Sequence, residues 1–399
     1  MTPRVFVTGA GIIAAGVRDL SDYEIALDVG DGHFQPAVFQ SDAGIVEIRC
    51  GQIEGFPAVY EGRQNRFAQL GVAVTRQLLS GVDIDDVQGI GLILGTSFGP
   101  TRTSSEYLFA LKKLGPRKLT PSLFPLTMFS TPVGLIGMEC GIAGPSTVCV
   151  GHSAMLLAYD LIRAGSAKRL IAIDLEELSW LPAVTYSRLG MVAGLASTVA
   201  GRPFDPNSEG PVLGEIAAAL LIESDDAMVG RGATPFAEIV DYGAVRLSTA
   251  RADPWHDPNV GSALSSSMRT AIHRSRADLA CFRSVFTSAN GAPNLDSAEE
   301  EAVGCLFKEL AHKPSLLSVK AVTGETLGGG LTASCIAAIT RDSKPFTLES
   351  KDATGAANRG DITATSPDSF VLCNDIGVGG DCLSVVLRQP LLNPLEVDR

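Results

Sequence analysis

Positive charge is scarce in this sequence. Its 399 residues carry 32 Lys and Arg against 44 Asp and Glu, a net charge of −12. Affinity for nucleic acid comes from Lys and Arg neutralising phosphates, so this balance argues against a nucleic-acid partner. It argues equally against an anionic membrane surface, while leaving room for an acidic protein that docks on a local basic patch. Metal-ligand spacing is missing too. None of the eight cysteines, at positions 50, 140, 149, 281, 305, 335, 373 and 382, forms a CxxC pair, and no histidine stands at zinc-ligand distance. The cysteines therefore read as small buried hydrophobes in a reducing compartment, and neither a metal nor a cofactor is expected. Long hydrophobic runs are absent: no stretch reaches the length of a transmembrane helix. The apolar run after Arg4 is too short and too rich in glycine for a signal peptide. A soluble, cytoplasmic protein with no membrane association is expected.

What the chain does have is a large apolar fraction, 45%, enough for a sizeable core in two domains or one duplicated one. Short β-branched runs read as buried strands at 5–7, 90–94, 147–150, 170–173, 217–222, 284–287, 316–319, 370–373 and 383–387. Between them, longer periodic runs read as helices at 66–79, 153–163, 262–275, 296–310 and 331–341. Near-continuous apolar strands alternating with helices indicate an α/β protein whose sheets are covered on both faces. Asp296 followed by Glu299 has the spacing of a capping box, which predicts a helix start there. The Ser-, Thr- and Gly-rich stretch 344–367 reads as a surface loop. The segment 225–234 separates two halves of similar strand–helix rhythm, without any detectable sequence repeat.

Two glycine clusters could bind phosphate. Gly9-Ala10-Gly11 with Ala14 follows an apolar run, in the manner of a dinucleotide fingerprint. Ile13-Ala14-Ala15-Gly16 is a poor helix opening, so a turn that merely needs glycine is the better expectation. Gly377-Val378-Gly379-Gly380 lies between two strands and not before a helix, so it reads as a bend closed to side chains.

Several stretches, in order along the chain, resemble the β-ketoacyl synthases. They are Val7–Gly11, Gly91–Gly99, Gly141–Ser146, Arg202-Pro203-Phe204-Asp205 with Gly210–Glu215, Lys320–Gly328 (KAVTGETLG) and Asn374–Gly380 (NDIGVGG). The resemblance implies a thiolase-type, five-layered αβαβα fold of two similar halves, residues 1–225 and 226–399. It also implies a dimer interface along one sheet edge, an acyl tunnel and an acyl carrier protein as partner.

The same resemblance shows what is missing. Condensation needs a nucleophile to carry the acyl chain and two imidazole donors for decarboxylation and the thioester oxyanion. The position of the histidine in the family's TGH motif holds Glu325, and that of the histidine in NAHGT holds Asn290. Glu325 is an acceptor facing developing negative charge; Asn290 donates but exchanges no proton. Lys320 keeps the family's lysine and could pair with Glu325. The nucleophile position is ambiguous, because about five residues are missing there. Alignment along the strand puts Ser153 in it; alignment back from the following helix puts Val148 there, beside Cys149. The strand alignment is preferred. The gating phenylalanines of the glycine-rich loop are replaced by Ile376 and Val378.

The chain is thus similar to the chain length factors of type II polyketide systems, which keep the ketosynthase fold, lose the cysteine and pair with an active ketosynthase to shape its acyl tunnel. The stretches 65–73 and 292–299 resemble that subfamily, whereas the glutamine usual at its cysteine position is not found. The alternative is an acyltransferase or hydrolase using Ser153, within Gly151-His152-Ser153-Ala154-Met155, a run close to a nucleophile elbow but without its final glycine. On the non-catalytic reading, Ser153 and its neighbours fill a collapsed pocket at the end of a buried strand 147–150.

Overall fold

The computed structural model describes residues 2–56, 65–151, 153–197, 199–247, 253–340 and 369–389. In the first part of the chain the elements are β1 (Val5–Ala14), α1 (Leu20–Val29), β2 (Gln35–Ser41), β3 (Gly44–Gly51), α2 (Arg66–Ser80), β4 (Gly91–Thr96), α3 (Thr101–Leu114), α4 (Thr131–Cys140), β5 (Ser146–Val150), α5 (Ala154–Arg163), β6 (Arg169–Glu176), α6 (Trp180–Arg188), β7 (Leu213–Gly214) and β8 (Ile216–Ser224). After α7 (Asp225–Gly230) come β9 (Ala237–Arg246), α8 (Val260–Ser275), β10 (Phe282–Phe286), α9 (Pro293–Leu306), β11 (Ser315–Leu317), α10 (Lys320–Thr323), α11 (Gly330–Thr340), β12 (Phe370–Ile376) and β13 (Asp381–Arg388).

Strand order exposes a duplication that the residue sequence conceals. Five strands of the first part run β5-β4-β6-β8-β1, and five of the second run β11-β10-β12-β13-β9. Ranked by position in the chain, both read third, second, fourth, fifth, first. The directions agree as well: the first three strands of each set are parallel, and the last two join antiparallel. The two sets meet where Val5–Val7 of β1 pair with Ala237–Ile239 of β9. β2, β3 and β7 form a small separate sheet.

Two apolar helices fill the space between the halves. α11 is buried along almost its whole length and packs on β12 from one side and on β1 and β8 from the other. α5 covers β4, β6 and β8, and its Tyr159 hydroxyl donates across to the Val240 carbonyl of β9 at 3.0 Å. One core cluster joins α5, α11 and the inner faces of both sheets. A second lies outside the first sheet, under α2 and α4, and a third outside the second sheet, under α8 and α9. The result is the five-layered thiolase-type arrangement.

Several local expectations need correction. The glycines at 9 and 11 belong to neither a dinucleotide turn nor any turn: β1 runs straight through them. A Cβ on Gly11 would lie 3.0 Å from the Val74 carbonyl oxygen and 2.9 Å from Gln77 Oε1, so glycine lets α2 lie against the strand. Asp296 does not start its helix. α9 begins at Pro293 with Ala292 as its cap, a position suited to proline's fixed φ and missing N–H. The strand 147–150, expected to be buried, is the free edge of the sheet; β5 pairs only with β4, and its residues are exposed or half-buried. Of the cysteines, four are fully buried, three are half-buried and Cys305 is exposed. The loop expected at 344–367 lies outside the described residues. Gly377–Gly380 is a turn between β12 and β13, with Gly380 at φ +81°, as its glycines require.

A Gly11→Val substitution should cost about 2 kcal/mol or more, since α2 must retreat from β1 to make room. Urea unfolding of the two proteins under identical conditions checks it.

Candidate functional site

The N-terminus of α11 is the meeting point of the site. Its first residues bind two buried carboxylates: the Leu331 amide donates to Asp375 Oδ2 at 3.0 Å, and the Thr332 hydroxyl donates to Asp174 Oδ2 at 2.5 Å. A helix N-terminus favours negative charge through its unpaired N–H groups and its dipole. Glycine at the helix start admits the acid: a Cβ on Gly330 would lie 2.9 Å from both oxygens of Asp375.

On the Asp375 side sits Lys320, which is 2% exposed. Its ammonium lies 2.9 Å from Asp375 Oδ1 and 2.9 Å from Glu325 Oε2. Burial alone would lower the Lys320 pKa; the attraction of Asp375 and Glu325 outweighs it and holds the group above its ordinary value. Glu325 is saturated. Oε2 accepts from Asn290 Nδ2 at 2.8 Å as well as from Lys320, and Oε1 accepts from the Leu327 amide at 2.9 Å. That last bond pins Leu327, whose φ of +62° is a strained conformation for a side chain of its size. The Ser97 hydroxyl holds the Leu327 carbonyl from the opposite side at 2.9 Å. Main-chain bonds fix Glu325 too: its amide donates to Val212 and its carbonyl accepts from Gly214. Lys320, Glu325 and Asn290, singled out from sequence, therefore stand in direct contact.

Ser153 belongs to a neighbouring cluster. It is the N-cap residue of α5, and its hydroxyl donates to Asp174 Oδ2 at 3.0 Å, while the Ala154 amide donates to Oδ1 at 2.9 Å. With Thr332, three donors from two helices converge on one carboxylate. A serine nucleophile needs a base and donors for an oxyanion. Asp174 is in reach as a base, and burial pushes its carboxyl above the usual range. The Ala154 N–H at the helix start, however, is already spent on Asp174. Two surface hollows, of about 320 Å3 beside Tyr159 and Arg274 and about 160 Å3 beside Met138 and Ile142, touch none of Ser153, Asn290, Lys320 or Glu325. For Cys149, on β5, burial, with Asp174 nearby, pushes the thiol up to about 12, which leaves almost no thiolate at neutral pH. His152 lies outside the described residues.

Four of the acids here were misread or missed. Asp296, expected as a helix cap, instead accepts from the amides of Phe204, Asn290 and Gly291 and so fixes the backbone that presents Asn290. Glu299 accepts from the Ser288 amide and hydroxyl and from Asn374 Nδ2. Asp174 and Asp375 were not singled out; their only sequence signal is a carboxylate at the end of an apolar strand run, where an unpaired charge would be costly.

Comparisons with known proteins agree with this architecture. Residues 51–227 match the β-ketoacyl synthase N-terminal domain. Over this stretch the chain is similar to the β-ketoacyl synthases. It is similar to 3-oxoacyl-[acyl-carrier-protein] synthase 2 of Vibrio harveyi, 27% identical, and of a Synechocystis strain, 24% identical, over 97% of this chain and 98% of each relative. Among solved structures it resembles the ishigamide ketosynthase/chain length factor, with a TM-score of 0.80, 20% identity, and coverage of 98% of this chain and 100% of that one. With the same TM-score and coverage, at 18% identity, it resembles a type II polyketide acyl carrier protein in complex with its ketosynthase. These likenesses show a thiolase-like ketosynthase fold.

The buried carboxyls set a pH dependence. Burial raises Glu176 to about 8, Glu177 and Glu299 to about 7, and Asp296 to about 6, against about 4 in an unfolded chain. The folded state holds these protons more tightly, so their contribution is complete below about pH 4 and is lost as pH rises through the folded values. Glu223, held below its ordinary value by Arg231 and Thr8 against the effect of burial, acts oppositely and loses its contribution on acidification. The melting temperature should therefore fall between about pH 5 and about pH 8.5, and Glu176→Gln should make that fall shallower above about pH 6.5. A series of thermal melts of both proteins across this range checks the slope.

Proposed function

We propose that this chain is a non-catalytic, chain-length-factor-like subunit. It forms a heterodimer with an active β-ketoacyl synthase, shapes that partner's acyl tunnel, and works on chains delivered by an acyl carrier protein. Its two halves, 1–225 and 226–399, then act as one scaffold. The observation that carries this reading is the saturated Glu325. A condensing site needs a donor where the thioester oxygen gains negative charge. Here a carboxylate stands at the matching position, ion-paired to Lys320 and bonded to Asn290 and Leu327, and none of the chain's five histidines stands at position 290 or 325.

The surface beside β5 supports the need for a partner. From Ser104 to Thr131 only Leu126 is fully buried, although the segment holds Leu108, Leu114, Phe124, Met128 and Phe129, all exposed. Met138 and Val150, 67% and 58% exposed, continue the apolar area onto α4 and the open edge of β5. A free strand edge bordered by apolar side chains is a template for pairing with another chain.

The second reading, a Ser153 acyltransferase or hydrolase, draws on the 3.0 Å contact between Ser153 and Asp174. Its base is present, but the Ala154 amide at the start of α5 is already bonded to Asp174. A serine-reactive phosphonate probe distinguishes the two, labelling Ser153 only if the second reading is right.

Co-expression with an intact β-ketoacyl synthase tests the proposal. The two chains should co-purify as a heterodimer, and the chain alone should decarboxylate no malonyl thioester. A stable monomer at micromolar concentration that no ketosynthase binds would refute the proposal. Within the heterodimer, Ser153→Ala should leave product and rate within about twofold, because losing one buried hydroxyl opens no cavity and Asp174 keeps the Ala154 amide and the Thr332 hydroxyl as donors. Gly134→Leu, at an open helical site beside Met138 where a Cβ meets nothing within 4 Å, should leave the isolated fold intact yet weaken assembly at least about tenfold. Size-exclusion chromatography with product mass analysis reads both outcomes.

A further inference from the structure

The donors around Glu325 form a binding site in their own right. Asn290 Nδ2 from one segment, with Lys320 Nζ and the Leu327 amide from either side of Glu325 itself, converge on one carboxylate group at 2.8 to 2.9 Å. All four residues are buried, at 1%, 2%, 5% and 3% exposure for Asn290, Lys320, Leu327 and Glu325. Each donor is held from elsewhere. Asn290 is fixed by the bond from its amide to Asp296 and by its side-chain oxygen, which accepts from the Ala292 amide. Lys320 is held by Asp375, and Leu327 by Ser97. The donor set thus rests on anchors independent of the group it binds.

We propose that this is a pocket for a small carboxylate, and that Glu325 is its tethered occupant. Beyond Cβ, the Glu325 side chain has the heavy atoms of acetate. Its two oxygens divide the donors between them, two to Oε2 and one to Oε1, as a free monocarboxylate would. The chain's own acid thus fills a buried place where three donors meet an anion. The inference does not depend on whether the chain pairs with a ketosynthase, because it concerns the interior of this chain alone.

The test is chemical rescue. Glu325→Ala leaves a methyl where the tethered acid began and frees the three donors. The purified variant is melted in acetate and in chloride at equal ionic strength, with wild-type protein and Glu325→Gln as controls. A ligand that binds only the folded state raises its stability with saturation. The expected result is a saturable rise in the melting temperature of Glu325→Ala in acetate, larger than in either control, with formate acting similarly and bulky benzoate failing. Equal responses in acetate and chloride, or equal responses of variant and wild type, would overturn the proposal. If Glu325→Ala does not fold in chloride, it is refolded in acetate and in chloride. Recovery of cooperatively melting protein in acetate alone then supports the pocket, and failure in both salts refutes it.

Discussion

The interior of this protein is arranged around a buried ammonium. Lys320 has left water almost completely and is held between Glu325 and Asp375. Removing one partner of such a group strands the rest, at a cost of several kcal/mol. The surrounding chain meets that constraint with main-chain and side-chain donors from distant segments. Asp375 also binds the start of α11, Glu325 binds Asn290 and the strained Leu327, and Asp296 holds the backbone at Asn290. Asp174 repeats the arrangement one residue along α11, tying Thr332 to the start of α5. Because α5 comes from the first half and α11 from the second, these polar contacts fix how the two repeated halves meet. A functional reading follows from the same constraint. The polar groups at the centre are spent on one another, which suits a subunit whose contribution is shape.

Part of this could be read from the sequence for physical reasons. Strands buried on both faces advertise themselves as apolar runs, and those at 170–173, 217–222 and 383–387 all fall inside β6, β8 and β13. The pairing of Lys320 with Glu325 was foreseeable, since five residues separate them and a buried carboxylate requires a partner. Asp375, the other acid of the ion cluster, lies fifty or more residues away from both, and its one local mark, a carboxylate ending an apolar strand run, does not name its partner. β9 escaped notice because it carries glutamate, aspartate, arginine and glycine and is only partly buried. The strand at 147–150 misled in the opposite direction: apolar residues that suggested a buried strand lie on an open edge. Composition records that a surface is to be covered, not which chain covers it.

Asp296 and Glu299 show the same limit at the site. Their spacing matched a helix cap, a local motif, but both acids are used by segments that arrive from elsewhere: 204, 290 and 291 for one, 288 and 374 for the other. Proline at position 293 had already started the helix. Likewise, Gly9 and Gly11 read as a turn that merely needs glycine until the strand's neighbours were in place; Gly11 lets α2 approach the strand. In each case local pattern identified an unusual residue, and tertiary packing decided its use.

The central claim is that this fold is completed by another chain along the edge of β5. Hydrogen exchange measures it most directly, on the isolated chain and on the chain mixed with an active β-ketoacyl synthase as the proposed partner. The amides of Ser146–Val150 that face away from β4, together with segment 104–131, should exchange quickly in the isolated chain and become protected in the complex, while β6 and β8 stay protected in both. Slow exchange at β5 in an isolated monomer, or unchanged exchange there on adding the ketosynthase, would contradict the account.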